Sequence, residues 1–92
     1  MDEIATTKLT IINDLGLHAR AATLLVQTAS KYQADLYVSK DGRQINGKSI
    51  MGVLLLTAGK GTELEVEAIG ADCKELIAAI EDLVKNKFGE DK

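Results

Sequence analysis

The sequence predicts an α+β fold in which helices cover one face of a β-sheet. Three observations support this prediction: short segments of strand-like alternation, longer segments with helical periodicity, and turn signals between them. The order along the chain is strand, helix, strand, strand, short helix, strand, helix. Elements in this order are typical of an α+β protein.

A strand and a helix are predicted first. Residues 8–13 are rich in β-branched side chains, which favours a short strand. From residue 19 to residue 31 the pattern changes to helical spacing. One face of this helix is expected to be apolar and buried, and it consists of Ala22, Leu25, Val26 and Ala29.

A hairpin and a short helix are predicted next. Residues 33–40 alternate as a strand does, Asp41-Gly42 is a strong hairpin-turn signal, and residues 43–46 form the returning strand. Ser49 is a favoured N-cap residue for a helix whose first turn holds Ile50 and Met51.

A strand and a helix end the chain. Residues 62–68 alternate, so the inward side chains are expected to be Leu64, Val66 and Ala68. The helix is predicted to start at Asp72, with Glu75 completing a capping box. Its expected buried stripe is Leu76, Ile77, Ile80, Leu83, Val84 and Phe88. The polar tail from about residue 89 is expected to fray, and residues 1–92 are expected to form a single domain.

Composition excludes several classes of protein. The net charge is −3, the pI is about 5.0, and aromatic residues make up 3% of the chain, which argues against a nucleic-acid binder. One cysteine, Cys73, and one histidine leave no disulfide and almost no ligands for a metal site, so neither metal nor cofactor is expected. No apolar run approaches the ~20 residues of a membrane span, so a cytoplasmic protein without membrane insertion is predicted.

The only histidine, His18, lies at a predicted strand-to-helix corner. Gly16 permits a tight backbone approach there, and Leu17 is expected in the core while His18 turns outward. The first amides of the following helix lack partners and point toward His18, and the helix end favours an anion. Arg20 adds a planar, permanently charged phosphate-binding group.

This corner has two interpretations. A neutral imidazole at an anion site is able to hold a phosphoryl group as a phosphoramidate. Alternatively, His18 is an ordinary surface residue at a helix start, and composition alone favours that simpler interpretation. A helix-end anion site by itself is a weak signal.

Three segments resemble a known family. The segment LGLHARAA (15–22) resembles the G-[LI]-H-x-R-P-A motif of HPr, the histidine-containing phosphocarrier family of the bacterial phosphotransferase system. GKSIMGVLLL (47–56) resembles its second motif, and AGKGTELEVEAIGAD (58–72) its last strand and the start of its last helix. The resemblance implies an open-faced β-sandwich of four antiparallel strands with three helices on one side.

The resemblance also implies a function. His18 aligns with the histidine that accepts a phosphoryl group on Nδ1, and Arg20 with the arginine beside it. The helix start itself predicts phosphate-binding amides at Ala19, Arg20 and Ala21. Enzyme I would be the donor and IIA proteins or domains the acceptors, so the chain would be a monomeric carrier rather than a stand-alone enzyme. Ala21 departs from the family's usual proline.

A second site and a docking surface follow from the same resemblance. Ser49 aligns with a serine that HPr kinase/phosphorylase modifies in some lineages. Ile50, Met51 and Leu54 are expected to be exposed and to dock partners. From the first helix, the residues that would extend this surface are Leu24, Gln27 and Lys31. Two alternatives stay open: a mainly regulatory protein acting through Ser49, and a nitrogen-type phosphorelay without sugar transport.

Overall fold

The computed structural model describes residues 3–92 and contains four strands and three helices within that range. The strands are β1 (Ile4–Thr10), β2 (Asp35–Lys40), β3 (Arg43–Asn46) and β4 (Glu63–Ile69). The helices are α1 (Ala19–Ser30), α2 (Ile50–Leu55) and α3 (Cys73–Lys85), and a 3-10 turn at Lys87–Gly89 follows α3. The order of these elements is the predicted one.

The strands form one antiparallel sheet in the order β1–β4–β2–β3. The β2–β3 hairpin turns at Asp41-Gly42, where φ is 51° and 82°, as a type I′ turn requires. The inward side chains of β4 are the three predicted from its alternation, since Leu64, Val66 and Ala68 are buried. The opposite sheet face carries polar side chains such as Lys8, Ser39 and Glu65, and no helix within residues 3–92 covers it.

The helices cover the other face of the sheet and enclose the core. α1 buries the four predicted residues and also Ala21, and α3 packs on β1 and β4. Each fully buried Leu, Ile or Val contributes about 1.5–3 kcal/mol to stability, so aliphatic packing supplies the core of a chain with few aromatic residues. Cys73 lies fully inside this core. The predicted α+β fold, an open-faced β-sandwich, is confirmed.

β1 lies earlier in the chain than predicted. It pairs with β4 from Ile4 opposite Ile69 to Thr10 opposite Glu63, whereas the strand was expected at residues 8–13. The later position was suggested by the β-branched pair Ile11 and Ile12, which follows the strand. Ile11 is fully buried and Ile12 is exposed. Local composition therefore located the strand only approximately. None of the helices in residues 3–92 is long and apolar enough to cross a membrane.

The predicted capping box at the start of α3 is wrong. Asp72 makes no capping hydrogen bond to α3. Its carboxylate instead accepts hydrogen bonds from the backbone N–H groups of Gln33 (2.9 Å) and Ala34 (2.7 Å). These two amides lie between α1 and β2, so the carboxylate is directed toward that loop and not toward the first amides of its own helix. Asp72 therefore joins two loops that are distant in sequence.

A pH-dependent contribution of Asp72 follows from these bonds. The hydrogen bond from Gln33 N–H, helped by that from Ala34, lowers the pKa of the Asp72 carboxyl. A depressed folded-state pKa stabilises the fold above the unfolded pKa of about 3.9, and this contribution is lost as the pH falls through the folded value. We expect Asp72→Asn to lower the Tm at neutral pH, and the difference from the parent chain to shrink in acid.

Thermal unfolding at several pH values measures this difference, with Glu75→Gln as the control. Glu75 is exposed in the first turn of α3, so this control removes an equal charge but none of the loop hydrogen bonds. If Glu75→Gln lowered the Tm as much as Asp72→Asn, or if the loss were the same at every pH, the role assigned to Asp72 would be wrong.

The C-terminal tail is packed, not frayed as predicted. Phe88 is buried, as expected. Because α3 already ends at Lys85, however, Phe88 lies outside the helix. Lys87 and Phe88 both adopt left-handed backbone conformations, with φ of 56° and 55°. The chain then returns to the β1–α1 loop, where the Lys92 carbonyl accepts a hydrogen bond from Asp14 N–H at 3.0 Å. The partners of the tail lie more than seventy residues away, so its own polar composition did not reveal them.

Candidate functional site

The β1–α1 loop is held by Gly16 and Leu17. Gly16 has φ of 66°, and a Cβ atom at this position would lie 2.5 Å from the Ala58 carbonyl oxygen. Leu17 is buried, as predicted, and its N–H donates to the same carbonyl at 2.9 Å. The next residue, His18, therefore begins α1 from a fixed position.

His18 is the N-cap residue of α1. Its backbone is extended, and its Nδ1 accepts a hydrogen bond from Arg20 N–H at 3.3 Å. The imidazole thus points Nδ1 toward the positive end of the helix. The side chain keeps 29% of its surface exposed, so a reagent in solution is able to reach the ring.

The other ring nitrogen meets a carboxylate that the sequence did not indicate. His18 Nε2 is hydrogen-bonded to Glu90 Oε2, and Glu90 Oε1 accepts a hydrogen bond from Asn13 Nδ2 at 2.9 Å. Asn13 is fully buried, and its Nδ2 also donates to the Gly16 carbonyl at 2.9 Å. Three residues from two ends of the chain therefore form one connected network.

The charge state of Glu90 follows from its partners. The hydrogen bond with His18 is the main cause that lowers the pKa of the Glu90 carboxyl, and the bond from Asn13 adds to it. Burial acts in the opposite direction, and the Arg20 charge, together with that of His18 whenever its ring is protonated, acts with the hydrogen bonds. Glu90 is therefore ionised at neutral pH.

Arg20 and its neighbours lie around the Nδ1 side of the ring. The Arg20 side chain is exposed, and within residues 3–92 no carboxylate lies within 4 Å of it. Ala19 is exposed and Ala21 fully buried. Ala19, Arg20 and Ala21 are the first three residues of α1, where first-turn amides have no intrahelical acceptor. The Arg20 N–H donates to His18 Nδ1, and phosphate binding by these amides stays a prediction. Ala21 occupies the position of the usual proline without interrupting the helix.

Ser49 lies at the start of α2. Its Oγ accepts a hydrogen bond from Gly52 N–H at 3.1 Å, so the predicted N-cap is confirmed. The residue is half-buried, and removal of such a cap costs about 0.5–2 kcal/mol. The same hydroxyl remains within reach of solvent.

The exposed apolar surface of α2 differs from the prediction at one residue. Ile50 and Met51 are 42% and 69% exposed, as expected. Leu54 is instead half-buried against the core, and Leu55 is 52% exposed. With Val53 fully buried, the helical rotation of about 100° per residue places Leu55 on the outer side beside Met51. The expected exposure of Leu54 is therefore wrong.

The α1 residues suggested for the same surface differ in exposure. Gln27 and Lys31 are exposed, whereas Leu24 is half-buried and packs against the core. Leu15, which no motif singled out, is 70% exposed in the loop before His18.

The fold and the site together define a class of protein. It is a small open-faced β-sandwich whose single histidine caps the first helix and presents Nδ1 to the helix amides. A sequence model described as "PTS HPr component phosphorylation site" matches residues 5–86. The chain belongs to the HPr family, the phosphocarrier proteins of the phosphotransferase system.

A similar sequence and a similar solved structure support this assignment. The phosphocarrier protein HPr of Neisseria meningitidis serogroup A is 50% identical over 80 residues, which cover 87% of this chain and 90% of the relative. The crystal structure described as HPr-C-His from Thermoanaerobacter tengcongensis has a TM-score of 0.93 and 43% identity, with 96% of this chain and 99% of that chain covered.

One similar solved structure is described as a dimer. A second crystal structure from Thermoanaerobacter tengcongensis is described as an HPr dimer, with a TM-score of 0.77 and 46% identity over 89% of this chain and 94% of that one. The expectation that this chain is a monomer therefore stays a prediction.

Proposed function

We infer that this chain accepts a phosphoryl group from phospho-enzyme I on His18 Nδ1 and passes it to IIA proteins or domains. The observation that carries this inference is the orientation of His18. His18 Nδ1 accepts a hydrogen bond from Arg20 N–H and faces the start of α1. The His18 side chain remains partly exposed. Enzyme I and the IIA proteins or domains bind the carrier in aqueous solution, so we place its action in the cytoplasm.

The transfer is a simple exchange of N–P bonds. The Nδ1 lone pair forms the new bond to phosphorus, and the donor atom on enzyme I keeps the electron pair of the bond that breaks. No proton is transferred, because Nε2 keeps its hydrogen throughout. The imidazole ring takes up a positive charge as the phosphoryl group arrives, and transfer to a IIA histidine reverses each change.

The start of α1 is suited to the phosphoryl oxygens. The exposed residues Ala19 and Arg20 present their amides at its first turn, with the fully buried Ala21 behind them, and the exposed Arg20 guanidinium is able to form two parallel hydrogen bonds to a phosphate. Helix-end interactions contribute only ~0.3–1 kcal/mol each. The group is thus held without a metal but is not bound too tightly to leave again.

Labelling with phosphoenolpyruvate tests this function. The purified chain is incubated with enzyme I and ³²P-labelled phosphoenolpyruvate, and the product is examined by mass spectrometry and ³¹P NMR. We expect one acid-labile phosphoryl group on His18 Nδ1, which is lost when a IIA protein is added. An unlabelled chain beside a fully charged control carrier would overturn the proposal.

A second role for Ser49 is supported by its position. Its hydroxyl is half-buried at the start of α2, directly before the exposed Ile50 and Met51. A phosphate on Ser49 would add about −1.5 to −2 charges beside this surface. We assign Ser49 as a substrate of HPr kinase/phosphorylase and Ile50 and Met51 as docking residues for enzyme I and IIA proteins. Phosphorylated Ser49 would therefore slow the charging of His18.

The Ser49 assignment is tested with HPr kinase/phosphorylase and ATP. We expect one phosphate in the parent chain, none in Ser49→Ala, and slower enzyme I labelling of the modified protein. No incorporation beside a modified control protein would contradict the assignment. A cellular effect that survived His18→Ala but vanished with Ser49→Ala would instead favour a mainly regulatory protein. The IIA proteins captured with the chain distinguish sugar transport from a nitrogen-type relay.

A further inference from the structure

We propose that Glu90 is a positioning residue, which keeps the proton of His18 on Nε2 and leaves the lone pair on Nδ1. Glu90 belongs to the segment from Phe88 to Lys92, which we call the C-terminal latch. This proposal rests on the phosphoryl-accepting function proposed for His18. It goes beyond that function because it assigns a role to a residue that no motif of the sequence indicates.

The tautomer of His18 follows from one hydrogen bond on each side of the ring. Nδ1 faces the Arg20 N–H, which only donates, so Nδ1 must carry a lone pair. Nε2 faces Oε2 of Glu90, and an ionised carboxylate only accepts, so Nε2 must carry the hydrogen. The bond from Arg20 is long, at 3.3 Å, whereas the bond to Glu90 is charge-assisted and therefore stronger. Glu90 thus dominates the choice of tautomer.

Glu90 is itself held in place by residues around it. Asn13, which is fully buried, donates to Oε1 of Glu90 and leaves Oε2 for His18. The buried Phe88 fixes the latch on one side of Glu90, and the Lys92 carbonyl bonds to Asp14 N–H on the other. The carboxylate therefore reaches His18 from a fixed direction.

The backbone of the latch indicates that this arrangement has a use. Lys87 and Phe88 both have φ near 55°, a strained conformation that non-glycine residues rarely adopt. Such conformations persist only where the surrounding structure imposes them. Here they turn the chain back from α3 so that Glu90 meets the ring.

The carboxylate also fits the charge that develops during transfer. When Nδ1 forms its bond to phosphorus, the ring becomes positively charged while Nε2 keeps its hydrogen. Glu90 lies against that N–H, so it stabilises the positive ring and lies on the opposite side from the incoming phosphoryl group. At metal sites, loss of a carboxylate that orients a histidine typically costs about 10- to 100-fold in affinity or activity, and we expect an effect of that order on phosphorylation here.

The tautomer is measured directly on the unphosphorylated protein. Because His18 is the only histidine in the chain, a ¹⁵N NMR spectrum at alkaline pH reports one neutral imidazole without assignment ambiguity. We expect Nε2 to be protonated and Nδ1 unprotonated in the parent chain. A predominantly Nδ1-protonated ring would overturn the proposal, whether or not enzyme I labels His18.

Glu90→Gln changes the partner of Nε2 without changing the size of the side chain. Asn13 Nδ2 requires an acceptor, so it selects the oxygen of the introduced amide and leaves the NH₂ group facing Nε2. Two donors then face each other, and we expect the population of the Nε2-protonated tautomer to fall. Glu90→Ala removes the acceptor without adding a donor and is the second variant, with the same expected direction.

Asp91→Asn is the matched control, because it removes the same charge from the next residue of the latch, which is exposed. It should leave the tautomer unchanged. A parent-like tautomer in both Glu90 variants would show that the carboxylate is only a structural tie, and the proposal would be rejected.

Chemical phosphorylation is a second measurement. Its rate and its site of attachment would not change if Glu90 had only a structural role. Phosphoramidate transfers its phosphoryl group to imidazole and releases ammonia, so no protein donor is needed. We expect the parent chain and Asp91→Asn to react on Nδ1, and Glu90→Gln to react about tenfold more slowly at Nδ1 with more product on Nε2. An unchanged rate and site of attachment would overturn the proposal.

Discussion

Replacement of His18 by alanine is expected to reduce phosphoryl labelling by enzyme I to background. The reason is chemical, because the chain has no second imidazole to take over the group. Arg20 and the amides of α1 would still form an anion site, but they offer no lone pair to phosphorus. The measurement is the amount of acid-labile phosphate per chain after incubation with enzyme I and phosphoenolpyruvate.

A control must separate the lost nucleophile from the lost helix cap, since His18 is also the N-cap of α1. Asparagine is among the best N-cap residues, so His18→Asn should keep the Tm near that of the parent chain and still abolish labelling. Acid-labile phosphate on His18→Asn would show that the acceptor lies elsewhere in the chain.

Replacement of Gly16 by alanine is expected to destabilise the fold by about 2–5 kcal/mol. Its φ of 66° is strained for alanine, and the added Cβ would lie 2.5 Å from the Ala58 carbonyl oxygen and 2.8 Å from Gly59 Cα. Both contacts are with backbone, which cannot rotate away. The shift also disturbs the bond from Leu17 N–H to Ala58, so His18 would be misplaced and its labelling slowed.

Denaturant unfolding measures this loss, with Gly59→Ala as the matched control. A Cβ atom on Gly59 would meet nothing within 4 Å, so this variant is expected to stay within about 0.5 kcal/mol of the parent chain. Equal stability of the two variants would mean that the close approach of the β1–α1 loop to Ala58 does not constrain the fold.

The sequence by itself predicted the elements that depend on local patterns. Four such features are present as expected: the Asp41-Gly42 turn, the Ser49 cap, the buried face of α1 and the alternation of β4. Each depends on residues a few positions apart, which is the range over which backbone preference and periodicity act. The family motif likewise identified His18 and Arg20, because both lie in one short segment.

Errors occurred where a side chain had alternative partners. Asp72 carries the right chemistry for its own helix, but its carboxylate bonds to the loop amides of Gln33 and Ala34 instead. The choice between Leu54 and Leu55 as the exposed residue depended on where Val53 enters the core. Sequence spacing alone does not distinguish between such alternatives.

The sequence on its own determined two chemical groups of the site, which are one imidazole at the start of a helix and an arginine beside it. Only the tertiary structure decided which groups complete the site. Asn13 and Glu90 are 77 residues apart, and neither belongs to a motif that predicts contact with His18. The physical reason is that the packing of Phe88 and the left-handed turn at Lys87 return the tail to the first loop, and such long-range packing leaves no periodic signal in the sequence.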